Sequence, residues 1–155
     1  MEFVFSVDEN EAPPPSGFDL GHIDVRGDRG EASSRNHTPD QAMMIYLSLT
    51  LLLDGLRRFL PGRDRFFTTS AVDSSFSLTF RRAKDGSIET VHDGKVIDRS
   101  SVPDLASAVH TGAERFATPR LSLLPGDDAG REDLEKSLAE FGIYVSRLPR
   151  ENARE

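Results

Sequence analysis

Apolar and polar residues alternate from the first residues of the chain. Phe3, Phe5 and Val7 stand between Glu2, Val4, Ser6 and Asp8. That period of two predicts a strand with one aromatic face. The alternation stops at Asp8 to Gly17, where acids and three consecutive prolines predict an exposed, partly extended loop. It resumes over Gly21-His22-Ile23-Asp24-Val25-Arg26, with Ile23 and Val25 expected to face inward. From Gly27 to His37 no period is visible, and a loop is expected.

The period then changes. Thr38 to Leu60 reads as one long helix, with Thr38 as N-cap, Pro39 at the first helical position and Gln41 completing a capping box. Pro61-Gly62 ends it. The run from Ala42 to Leu53 is apolar around nearly the whole circumference. Ile45, Leu49, Leu52, Leu56, Phe59 and Leu60 form one stripe, and Met43, Leu47, Thr50, Asp54 and Arg58 lie opposite. The first half of this helix therefore needs cover on a second face, from this chain or from another.

Beyond the helix, Arg65 to Thr69 is β-prone, and Phe76, Leu78 and Phe80 alternate with serine and threonine. Lys84-Asp85-Gly86 predicts a turn, Ser87 to His92 a strand, Asp93-Gly94 a tight hairpin turn and Lys95 to Asp98 the returning strand. Connections this short give antiparallel pairing. Ser101, with Asp104 three residues on, opens a helix that buries Leu105, Val109, Gly112, Ala113 and Phe116. Asp127 or Asp128 opens the last helix, with Leu134, Leu138 and Phe141 inward, Gly142 as its closing residue and a Glu132–Lys136 ion pair. Ile143-Tyr144-Val145 is expected to add a short strand.

These elements make an α+β protein: a mainly antiparallel sheet packed against one long central helix, with two further C-terminal helices. The 155 residues suit one domain, expected over 1–145, with a frayed polar tail over 146–155. A chain of this size buries about two-thirds of its unfolded surface without covalent staples.

Charge and composition narrow the partners. The net charge is −7, with −6 over residues 1–40, +2 over 41–100 and −3 over 101–155. Phosphate backbones repel such a chain, so nucleic acid is not an expected partner. Cysteine is absent, which excludes disulfides and thiolate metal sites and fits a reducing, cytoplasmic setting. Met1 to Phe5 lacks the basic start of a secretory signal. The 12-residue apolar run falls short of the about 20 that a membrane span needs. Arginine outnumbers lysine 16 to 3, a bias associated with GC-rich bacterial genomes.

Candidate chemistry is sparse. His22 and Asp24 share one face of a strand and, with Asp28 and Glu31, could surround a metal ion; no second histidine stands at ligand spacing, so no metal or other cofactor is expected. Asp73-Ser74-Ser75 puts hydroxyls beside a carboxylate but lacks the glycine elbow of a nucleophilic serine, and a turn is expected there. Arg57, Arg58, Arg63 and Arg65 cluster at the end of the long helix, where cations complement its dipole.

The segments Ile23-Asp24-Val25-Arg26-Gly27, Pro39 to Ser48, Leu53-Asp54-Gly55-Leu56, Asp73 to Leu78 and Gly112 to Phe116 resemble those of small uncharacterised proteins of actinobacteria. In size, acidity and α+β make-up the chain is similar to immunity proteins that neutralise bacterial toxins. The expected function is thus non-catalytic binding of another protein, a basic one, with Asp24, Asp28, Glu31, Met43 and Leu47 as the candidate interaction surface and a homo-oligomer as a further option. The alternative is a small enzyme or ligand-binding domain with a pocket between sheet and helices, using His22, Asp24, Asp73 and Ser74.

Overall fold

The structure, a computed structural model, describes residues 1–150. Over the described residues the chain is α+β, with two four-stranded antiparallel sheets and three α-helices. The first sheet holds β1 (Glu2–Val7), β2 (Leu20–Arg26) and β3 (Glu31–Ser33), with β4 (Met43–Met44) pairing the start of β2. Helix α1 (Ile45–Phe59) follows. The second sheet is a meander in the order β5 (Phe66–Ser70), β6 (Ser77–Arg82), β7 (Ile88–His92) and β8 (Lys95–Ser100). Helices α2 (Val102–Arg120) and α3 (Ala129–Arg147) complete the fold.

The alternating strands form as their periods predict. Phe3 pairs with Val25 and Phe5 with Ile23, and all four are buried. On the meander, Phe67, Phe80 and Thr90 share the inward row, while Phe66, Arg81 and Glu89 share the outward one. Asp93 and Gly94 both have positive φ, 48° and 76°, which lets a two-residue turn join β7 to β8.

Helix α1 differs from its expected form. It starts at Ile45, seven residues after Thr38, and at 15 residues it is shorter than the 19-residue α2 and α3. Met44 stands at its N-cap position without a side-chain cap. The Asp40 side chain instead accepts from the amide of Ala42 at 2.8 Å, turning the chain into β4. The apolar Met43–Met44 pair thus extends the first sheet: Met43 lies opposite Gly21 and Met44 opposite Leu20.

Ser101 and Asp128 cap α2 and α3 as expected, each accepting from the amide three residues on. Gly142 does not end α3, which runs through Ile143-Tyr144-Val145 to Arg147. Ser146 and Arg147 are helical rather than frayed, and residues 151–155 lie outside the described residues. The ion pair on α3 is Arg131–Glu135, at 2.9 Å, and not Glu132–Lys136.

The core joins all these elements. Leu49, Leu52, Leu56, Leu78, Phe80, Leu105, Val109, Leu134 and Phe141 are buried together. Phe67 links the Phe59 and Phe80 rings, at 6.1 Å each, and tilts the end of α1 onto the meander. The Arg82 guanidinium stacks 4.8 Å from the Phe59 ring and donates to the Phe59 carbonyl at 2.8 Å. A cation there also offsets the negative end of the helix dipole.

Several sheet edges are covered from within the chain. Helix α2 lies along β1, with Gly112 against the Phe3 carbonyl. The loop after β2 closes on β8, Arg29 donating from its amide to the Ile97 carbonyl at 2.9 Å. Around Met44 the chain is tied to Val72, whose carbonyl accepts its amide at 3.1 Å. The outer edge of β5 has no such cover, and Phe66 on it is 66% exposed.

Candidate functional site

Among the residues proposed from sequence, His22 has the most constrained position. It is buried on β2, with Nδ1 3.0 Å from Ser34 Oγ and Nε2 2.9 Å from the Asp8 carboxylate. Both ring nitrogens are therefore engaged inside the fold. Asp8 also accepts from the amide of Asn10 at 2.8 Å. That backbone bond first, and the imidazole second, hold its carboxyl below the usual aspartate value.

Asp24 is likewise engaged. One oxygen accepts from Ser33 Oγ at 2.5 Å and the other from Arg35 Nε at 3.0 Å, while Arg35 also donates to Ser6 Oγ. Ser74 donates to the Gln41 carbonyl at 2.7 Å and accepts from the Phe76 amide, so it shapes a turn. Asp73 has a positive φ of 62° within that turn. His22, Asp24 and Ser74 are thus held by different partners, and with Asp73 they do not line one common pocket. Among the described residues, no three of His, Cys, Asp and Glu group closely enough to hold a metal ion.

The candidate interaction surface is divided by the fold. Asp24 and Glu31 line one open groove of about 510 Å³, with Glu2, Val4, Arg26 and Ser33 of the first sheet and His92 of the second. Three carboxylates and one guanidinium line it, Asp24 being paired with Arg35 from outside the lining, and Val4 is 44% exposed. Glu31 is 3.2 Å from Arg26 with both side chains largely in water, so that pair is weak and readily exchanged. Asp28 lies on the other side of the β2–β3 turn, in a second groove of about 640 Å³ with Asp98, Asp104, Arg99 and Arg115. Asp98 is buried and accepts from the Asp28 amide at 3.1 Å and from Ser100 Oγ.

Met43 does not belong to this surface. It is fully buried at the β2–β4 pairing, so the expectation that it offers a contact face is corrected: the cover it needs comes from its own chain. Leu47 is half-buried on the flank of α1. Sequence reasoning passed over Glu2 and Val4 as groove residues. Their alternation with Phe3 and Phe5 already placed them on the outer face, but the arrival of Glu31 and His92 beside them depends on the loops.

A third cavity, about 180 Å³, lies between the proline-rich loop and the helices, lined by Glu11, Asp19, Tyr46, Arg120 and Leu123 among others. Burial raises the Tyr46 hydroxyl above its ordinary value. None of His22, Asp24, Asp73 or Ser74 lines it. No helix is long and apolar enough to cross a membrane among the described residues. Comparison with protein-family models, with curated proteins and with solved structures found no match to the chain.

Proposed function

We propose that the chain is a non-catalytic, protein-binding protein of the cytoplasm, of the kind that holds a toxin inactive as an immunity protein does, and that its partner is basic. The observation that carries this reading is the groove on the first sheet. Glu2, Asp24 and Glu31 surround the exposed Val4, with Arg26 as the one cation among the groove's lining residues. An apolar centre inside an acidic rim favours a protein surface bearing lysine or arginine around an apolar contact. The net charge of −6 over residues 1–40 adds long-range attraction and speeds encounter. Against catalysis stands the fate of three of the polar groups that a reaction would require: His22, Asp24 and Ser74 are each occupied by a structural hydrogen bond.

Affinity capture from the native host tests the reading, with Glu2→Lys/Glu31→Lys as the comparison. Both residues are exposed, so the variant is expected to keep its melting temperature. A basic protein bound by the unaltered chain and released by the variant is the expected result. Equal recovery by both chains would remove the acidic groove as the binding surface.

A further inference from the structure

We propose that the cavity under the proline-rich loop binds a free, small aliphatic α-amino acid, its carboxylate on Arg120 and Tyr46 and its ammonium group on Asp19 and Glu11. The cavity shares no lining residue with the acidic groove, so the inference is independent of the protein partner.

The cation in the cavity is unpaired. Arg120 is the last residue of α2, and its side chain forms no hydrogen bond or ion pair among the described residues. Its guanidinium lies 5.3 Å from the Phe116 ring centre, and Nε is buried there without a partner. The terminal nitrogens are left for a ligand, and a planar guanidinium suits a carboxylate. Tyr46 stands in the first turn of α1 and is buried. Burial raises its hydroxyl, with Arg120 lowering it and Asp19 raising it further, so both charges act on the polar end of the ring. The hydroxyl therefore keeps its proton at neutral pH and can donate to a carboxylate.

The carboxylates are fixed but only half used. Asp19 is buried and accepts from the Ser16 amide through one oxygen, at 3.1 Å. Glu11 accepts from the Leu20 amide through one oxygen, at 2.8 Å. Each keeps a second oxygen, and neither pairs with Arg120, so opposite charges line one cavity without neutralising each other. An α-amino acid carries both complementary charges at a short, fixed separation. A simple anion would meet the two carboxylates, and a simple amine the guanidinium.

The wall and the volume set the side chain. Val7, Pro13, Pro15 and Leu123 supply apolar lining. The loop that carries the prolines is tied at both ends. The Asp8 amide donates to the Leu20 carbonyl at 2.8 Å and the Gly17 amide to the Asp128 carboxylate at 3.0 Å. The wall is thus formed before any ligand arrives, which lowers the cost of binding. Leu123 is 62% exposed, and a bound aliphatic side chain would cover it. A volume of about 180 Å³ equals the share of about six water molecules in the liquid. That admits alanine, valine or leucine and is too small for a drug-sized ligand.

Calorimetric titration of the full chain with L-alanine, L-valine and L-leucine tests the proposal, with chemical-shift mapping to locate the bound molecule. At least one should saturate a single site with a Kd near or below about 1 mM. Isovalerate, which is valine without its ammonium group, and valine methyl ester, which lacks the carboxylate charge, should each bind at least about tenfold more weakly than valine. Arg120→Gln and Glu11→Gln change half-buried side chains, and the second keeps an acceptor for the Leu20 amide. Each should weaken the amino acid at least about tenfold while the melting temperature is unchanged. Tyr46→Phe keeps the buried ring and should give a smaller loss in the same direction. Failure of these amino acids to saturate up to about 10 mM overturns the proposal. So does equal binding of isovalerate or the ester, a bound position away from Tyr46 and Arg120, or affinity that both glutamine variants leave unaffected.

Discussion

Gly112 of α2 lies on the carbonyl of Phe3: a Cβ built at position 112 would stand 2.4 Å from that oxygen. Helix and strand touch backbone to backbone, and no side chain can give way. Gly112→Ala is therefore expected to lower stability by about 1–3 kcal/mol, the usual range for overpacking. Gly126→Ala is the control, since nothing lies within 4 Å of a Cβ there, and its effect should stay within about 0.5 kcal/mol. Denaturant midpoints of the two variants would separate the cases, and an equal shift in both would remove the contact as the cause.

Leu52 is fully buried between α1 and the core. Leu52→Ala should cost about 2–5 kcal/mol by equilibrium denaturation. A loss below about 1 kcal/mol would show that the α1 stripe does not anchor the core.

Asp8 predicts the acid limb of the stability curve. The Asp8 carboxyl titrates below its ordinary value of 3.8 in the folded chain. A depressed carboxylate contributes stability above the unfolded value, and that contribution is lost as pH falls through the folded one. The native contribution should thus be complete at neutral pH and disappear below about pH 4. Asp8→Asn should lower stability at pH 7 and flatten the loss in acid. Parallel stability–pH curves for both chains would contradict this.

Both His22 nitrogens are occupied by Ser34 and Asp8, and a zinc ion would have to displace one of those partners. Purified protein is therefore expected to carry no stoichiometric zinc. Metal analysis checks this directly: one equivalent of zinc, lost on His22→Ala, would overturn it.

The legible parts of the fold are those fixed by near neighbours. The alternation at Phe3–Val7, the Asp93-Gly94 turn and the caps at Ser101 and Asp128 all depend on a few adjacent residues, and each forms where its pattern places it. Errors arise where a distant partner decides. Met43 and Met44 continue the apolar helical pattern without a break, yet pairing with Leu20 and Gly21 draws them into a sheet. Gly142 reads locally as a helix end, but it permits close approach of α3 to His110, whose Nε2 lies 3.0 Å from the position of an added Cβ, and the helix continues. Of the candidate surface, Asp24, Asp28 and Glu31 were readable as polar. Their division between two grooves was not, because the β2–β3 turn that separates them has no period of its own.

The seal of α2 along β1 also bears on how the chain comes together as it is made. Ser100 Oγ reaches the sulfur of Met1 across 99 positions of sequence, so the first strand emerges long before the helix that protects it. The β5–β8 meander needs only its own short turns, and such local contacts form fastest. Pulse-labelled refolding is expected to protect the amides of β6 and β7 before those of β1 and β2; simultaneous protection of both sheets would show that they form as one unit. A nascent chain would then carry its aromatic N-terminal strand unshielded through most of synthesis, with the acids from Glu2 to Glu11 keeping that segment in solution until α2 arrives.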